Sequence, residues 1–321
     1  MKLHVRKTMN IGVALLAVLV VLGVVFSAVR ETSVVAAAKT AEQATFATPE
    51  EAGHALESAA RANDETALAQ ILGSESKAIL SSGDPEEDKA ALSSFVAKYE
   101  RMNRWVTMTD GSKVLYVGAD NYPYPIPLMR NASATWYFDT AAGKDEILAR
   151  RIGKNELLAI DAVYAMANAE ELYFKHKRDG DDTRHYTQKL LSSSGKQDGL
   201  YWEAAKDQSA SPLGRSSEFA KDVVSPTQPG VPPVFDGYSF RVLTAQTDNA
   251  KGGAMSYIQD GEMTGGFAIL ATPVTYGDSG IMTFMLSREG VVYQKDLGPK
   301  TTEMATFIYS YDPDNSWTPA E

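Results

Sequence analysis

The sequence predicts an α+β fold, and three observations carry that reading. Helix-start signals crowd the region before residue 105, at Thr48-Pro49-Glu50-Glu51 and Asp84-Pro85-Glu86-Glu87. Residues 145–178 then run without proline and with few breaks, as a long helix does. From Gly237 onward, β-rich runs alternate with glycine-containing breaks, as in an antiparallel sheet.

Taken in order, the chain opens on a short basic head (Lys2, His4, Arg6, Lys7) and an uncharged apolar run, Ile11–Val29. A helix of that length spans roughly 28 Å, close to the ~30 Å hydrocarbon core of a bilayer. Basic residues before the run place the N-terminus inside and the body outside the membrane. Residues 1–38 are read as a signal anchor or a signal peptide, since a small-residue cleavage site exists at Ala36-Ala37-Ala38. The expected location is the cell envelope, with the exported body on the inner membrane unless the signal is cleaved. Residues 39–47 read as a tether.

Thr48 heads a capping box with proline at the first helical position. Asp64 can cap a second helix and Gly73 can stop it. Behind Asp84-Pro85, Leu92, Phe95, Val96, Tyr99 and Met102 recur at helical spacing. The period changes after Trp105, where Val114–Val117, Tyr124–Met129 and Thr135–Phe138 are expected strands. Residues 48–144 thus form a first α+β region. The second, 145–300, begins with the long helix, on which Leu157, Ile160, Tyr164 and Ala167 form one stripe and Leu158, Ala162, Ala165 and Leu172 flank it. Residues 192–235 are loop-like and end in Pro226, Pro229, Pro232 and Pro233. Strands are expected at Tyr238–Gln246, Ala254–Gln259, Gly266–Thr272, Ile281–Ser287 and Val291–Lys295, and residues 301–321 form a tail.

Composition narrows the function. The chain carries a net charge of −10 and residues 1–38 carry +3, which leaves −13 on the body. Such a body disfavours nucleic acid, whose phosphates select clustered Lys and Arg. The absence of cysteine removes disulfides and thiolate chemistry. Four scattered histidines give no transition-metal spacing, and no phosphate-cradling glycine loop is present. No catalytic, cofactor-binding or metal residue is therefore nominated. Gly277-Asp278-Ser279-Gly280 matches the tetrapeptide around a serine-protease nucleophile, but a hairpin turn accounts for it better. Asp179-Gly180-Asp181-Asp182 and Asp312-Pro313-Asp314-Asn315 read as acidic turns with an incomplete set of Ca²⁺ ligands. The candidate binding residues are aromatic or sit in turns: Tyr122 and Tyr124 of a proline-spaced ridge, Asp198, Tyr201 and Trp202 of a long loop, and Tyr276, Asp278 and Ser279.

Several strings occur together: GADNYPYPIPL (118–128), FDTAAGKDEILARRIGKNELLAI (138–160), SSGKQDGLYW (193–202), GYSFRVLTAQ (237–246) and GGFAILATPVTYGDSGIMTFMLSREGVVYQKDLGP (265–299). In these the chain resembles the bacterial domain-of-unknown-function 2950 family. The resemblance implies an exported, envelope-associated protein with no assigned activity and no functional residue to carry over. In layout, the first region resembles the cystatin-like (NTF2-like) fold. The second, with NELLAI, GYSFR and SREGVVY in that order, resembles the soluble part of pilin-like and pseudopilin-like proteins. A prepilin's Gly-Phe-x-x-x-x-Glu head is missing. The expected function is a non-enzymatic binding or assembly module with an envelope protein or polymer as partner. A hydrolase using an Asp/Glu pair, or a structural spacer, is the alternative.

Overall fold

Asn63, with a left-handed backbone (φ 50°), ends a first helix, α1 (Pro49–Ala62), and Asp64 immediately caps the next, α2 (Glu65–Leu72). In the computed structural model, residues 43–80, 85–204, 209–214 and 232–320 are described. Ile11–Val29, Asp84, Pro226, Pro229 and the start of the expected tether lie outside them. Among the described residues no helix is long and apolar enough to cross a membrane.

The capping box forms as the sequence dictates. Thr48 Oγ1 accepts the Glu51 N–H, and the Glu51 carboxylate accepts the N–H of Ala47. Asp64 accepts the Ala67 N–H at 3.0 Å. A short α3 (Lys77–Leu80) and α4 (Pro85–Arg101) follow. Ala52, Leu56, Leu68, Leu72 and Val96 bury together with Ile126, Leu128 and Phe138 in the first core. Gln43 is already docked, its side chain donating to the carbonyls of Ile71 and Phe138.

The first sheet is antiparallel. Its strands are β1 (Asn103–Thr107), β2 (Lys113–Val117), β3 (Tyr122–Pro123), β4 (Leu128–Arg130) and β5 (Trp136–Phe138), in the order β1-β2-β4-β5 with β3 paired to β2. The sequence reading starts its strands at Val114 and misses β1. Polar residues flank the adjacent Trp105 and Val106 there, so no alternation marks the strand, and only pairing with β2 fixes it.

The long helix, α5 (Thr140–Phe174, 35 residues), starts five residues earlier than expected. Asp139 caps it by accepting the Ala142 N–H. Gly143 lies inside the helix, and a Cβ there would lie 2.6 Å from Ile126 Cγ1. A glycine in a helix costs roughly 1 kcal/mol, and here it permits that contact. The expected stripe is only half right: Leu157 is 64 % exposed and Tyr164 is also exposed, while Ile160 and Ala167, with the flanking Leu158 and Ala165, pack against the core. Ala162, expected on the flank, is buried, together with Ala159, Val163, Met166, Ala169 and Tyr173. Small side chains let the helix axis approach the sheet, so proximity outweighs the larger residues.

The second sheet has the order β15-β14-β13-β12-β7-β6, all antiparallel. Here β6 is Val234–Phe235, β7 Tyr238–Leu243, β12 Ala268–Pro273, β13 Met282–Ser287, β14 Val292–Asp296 and β15 Thr318–Pro319. Two small pairs, β8 (Ala245–Gln246) with β9 (Met255–Ser256) and β10 (Ile258–Gln259) with β11 (Glu262–Met263), lie between β7 and β12 in sequence. The expected strand 254–259 is thus broken at Tyr257, which turns into the core and donates to Gln246. The Asp260-Gly261 hairpin forms as read, with φ of 52° and 90°.

Side chains alternate across this sheet. Tyr238 packs on Phe284 at 5.8 Å, and Phe284 shares a cleft with Leu157 and Ile160, which marks the α5 side. Arg241 and Leu270, paired in register, point to the other side. There they meet one helical turn, α6 (Thr301–Ala305), within what reads as a tail.

Candidate functional site

The ridge expected from Asn121–Pro127 does not form. Pairing with β2 ends at Pro123 and the chain bends at Pro125 and Ile126, so the two tyrosines part. Tyr122 is exposed between two cations, with Lys98 Nζ 4.8 Å and the Arg150 guanidinium 5.1 Å from its ring centre. Tyr124 packs among Phe95 and Phe138 at 5.3 and 6.3 Å, and burial pushes its hydroxyl pKa up.

Tyr276–Gly280 is a turn closed on itself. Ser279 Oγ accepts the Thr275 N–H and donates to the Thr275 carbonyl, at 3.0 and 3.1 Å. The Gly277 N–H donates to Gly280 O, and Tyr276 donates to Asp296. The serine hydroxyl is spent on its own loop. Helix α5 grips this turn along one side. Arg151 pairs with Asp278 at 3.1 Å and Asn155 donates to Ser279 O at 2.9 Å. The Glu156 carboxylate accepts the N–H groups of Ile281 and Met282 at 2.9 and 3.0 Å. Glu156→Ala strips two donors of a charged acceptor and is expected to cost about 1–3 kcal/mol in denaturant melts. An unchanged midpoint would show that the grip adds nothing.

The Asp198–Trp202 loop is internal. Leu200 and Trp202 are buried, and Trp202 Nε1 donates to Ser209 O at 2.9 Å beneath the Arg178 guanidinium. Tyr201 bridges to Leu191 and donates its N–H to Leu190 O. Burial acts to raise the Asp198 pKa, yet hydrogen bonds from Lys189 and Ser193 hold it below the usual carboxylate range. Gly199 packs where a Cβ would meet the Leu191–Ser192 peptide at 2.6 Å. The loop therefore closes over the core rather than presenting Trp202.

These residues do not share one surface. Arg151, beside Asp278, precedes Tyr173, which lies under Arg178, by 22 helical positions, roughly 33 Å along α5.

Near that far end lies the most perturbed carboxyl. Glu170 is fully buried; its Oε2 accepts the Thr187 N–H at 3.0 Å, and its Oε1 has no hydrogen-bond partner among the described residues. Burial pushes its pKa well above the usual range, against the Thr187 bond, and Glu171 adds to the rise. Glu171 accepts from Arg288 at 2.9 Å and Tyr186 at 3.3 Å. Among the described residues no group of three His, Cys, Asp or Glu is placed to hold a metal ion. The Asp312–Asn315 turn is closed by Thr247, Asn249 and Ser316.

The sequence reading misses the outer face of the second sheet. Beside α6, Phe307 is 71 % and Tyr309 66 % exposed, and Met304 is exposed with them. A cleft of about 370 Å³ lies beside these side chains, with Met285, Lys295 and Trp317 in its walls. A second cleft, of about 330 Å³, flanks α6 between β7 and β12 and contains Arg241. The signal was the cluster Met304-Ala305-Thr306-Phe307-Ile308-Tyr309 in a segment read as tail, and one arginine inside the apolar run of β7.

A family model described as "Protein of unknown function (DUF2950)" matches residues 43–320. No curated protein and no solved structure matches the chain.

Proposed function

The chain belongs to the DUF2950 family, whose description assigns no activity, and from the geometry we propose a membrane-tethered, extracytoplasmic binding module. One observation carries the binding role: Met304, Phe307 and Tyr309 stand exposed together around a cleft, on a segment held from behind by Arg241. Large aromatic side chains at such a patch supply most of the energy of a protein interface. The partner is a macromolecule of the cell envelope. The tether is Ile11–Val29, with its basic head inside and the acidic body outside. The long helix on an antiparallel sheet supports a pilin-like reading of the second region. Helices packed on a small antiparallel sheet support a cystatin-like reading of the first. Both layouts suit assembly and binding.

The test is made in intact cells with the full chain carrying a photoreactive residue in place of Phe307. Illumination is expected to give discrete adducts, reduced about tenfold or more by Tyr309→Ser. That exposed substitution should leave stability within about 0.5 kcal/mol. Absence of adducts, or adducts indifferent to Tyr309, would overturn the patch. Protease added to intact spheroplasts should digest the body; protection until lysis would overturn the export.

A further inference from the structure

Arg241 is a half-buried guanidinium without a counter-charge. Its Nη2 donates to the carbonyls of Ala305 and Ile308 at 2.7 and 2.6 Å, which tacks α6 to the sheet. Among the described residues Nε and Nη1 have no hydrogen-bond partner and no carboxylate pairs with the group. The Tyr309 ring, 5.9 Å away, is its other neighbour of note. A partly desolvated cation of this kind, met only by neutral carbonyls, gains from an anionic partner. Three hydroxyls, on Ser239, Thr272 and Thr302, line the same cleft, and none bonds another described protein group. A fourth, Thr306, donates its hydroxyl to Glu303 O, and the remaining wall is apolar: Pro232, Val234, Leu270, Pro273, Val274 and Ala305. The cleft holds about 330 Å³, the small end of the ~300–1,000 Å³ range of ligand sites.

We propose that this cleft binds a free alkyl carboxylic acid, with its carboxylate on Arg241 and the three hydroxyls and its chain along Val234, Pro273 and Val274. One guanidinium beside neutral hydroxyls matches a single negative charge. A phosphate dianion would call for a second cation, and the lining has none. An acidic peptide would approach a body whose own charge is −13 on residues 39–321. The site has a lining separate from that of the cleft beside the aromatic patch and stands whether or not that patch binds a partner.

The full-length protein in its membrane is illuminated with a diazirine-bearing alkyl acid or with the matching alcohol, and the adducts are mapped by mass spectrometry. The acid is expected to label the segments around Val234 and Val274 and to be displaced by dodecanoate. The alcohol should label them at least tenfold less, since a hydrogen bond to a charged group is lost. Arg241→Met should cut acid labelling roughly tenfold or more. That variant also frees α6, so Val274→Asp serves as the second. Val274 is 45 % exposed, and an aspartate there sets a fixed carboxylate at the cleft without touching the bonds of Arg241. Val274→Asp should lower acid labelling and leave alcohol labelling unchanged. Equal labelling by acid and alcohol, labelling elsewhere on the chain, or a Val274→Asp protein that labels as the wild type does would overturn the site.

Discussion

Gly280→Ala is expected to destabilise the protein by about 3 kcal/mol, whereas Ser279→Ala next to it should cost no more than about 1 kcal/mol. A Cβ at Gly280 would stand 2.6 Å from Cζ and 2.7 Å from Cε2 of Tyr238. That ring cannot retreat. Tyr238 is fully buried, lies against Phe284, and donates its hydroxyl to Met282 O at 2.8 Å. Overpacking of a well-filled core typically costs 1–3 kcal/mol, and the lost hydroxyl bond adds to it. Ser279, in contrast, gives up only local bonds to Thr275. Urea melts of both variants check the order of the two effects. If Ser279→Ala proves the more damaging, the turn has a role beyond its own geometry, and the protease-like tetrapeptide regains interest.

Glu170→Gln is expected to stabilise the protein at neutral pH, by about 1–3 kcal/mol. The unfolded chain releases this proton near the ordinary value of 4.5, while burial makes the folded chain hold it to higher pH. Between those two values the folded state binds more protons than the unfolded. Stability is therefore full below about pH 4.5 and falls as pH rises through the window, by up to about 1.4 kcal/mol per pH unit. Glutamine keeps an oxygen for the Thr187 N–H and carries no charge. The variant's advantage should vanish near pH 4.5 and grow toward pH 8. At this chain length each kcal/mol moves the midpoint by about 1.5–2 °C. A variant less stable than the wild type, with a gap that widens with pH, would mean that Glu170 is ionised and favourably paired.

Helix boundaries marked by local chemistry were legible. Thr48 and Asp64 act within three residues of themselves, so their caps follow from sequence alone. Gly-containing turns between β-rich runs were legible for the same reason. What escaped depends on partners distant in the chain. The face of α5 that buries is chosen by how near the sheet must come, and the Leu157–Tyr164 stripe cannot reveal that. Tyr124 turns inward because of Phe95 and Phe138, and Trp202 because Ser209 and Arg178 close over it. Conversely, Phe307 and Tyr309 fall in a segment read as a tail, and only the structure shows them exposed beside a cleft. Tyr122 and Asp278 are exposed and Ser279 is half-buried, and the expectation that they join Trp202 in one site failed on distance.

The 35 residues of α5, about 52 Å of helix, also act as a phase coupling. Arg150 reaches the Pro123 carbonyl of the first sheet, and the very next residue, Arg151, reaches Asp278 in the second. Each residue of a helix advances 1.5 Å and turns roughly 100°. Inserting one residue between these two would swing the second sheet, with Arg151 still on Asp278, about a quarter-turn around the first. Surface loops elsewhere can lengthen freely, but this stretch tolerates change in whole helical turns alone.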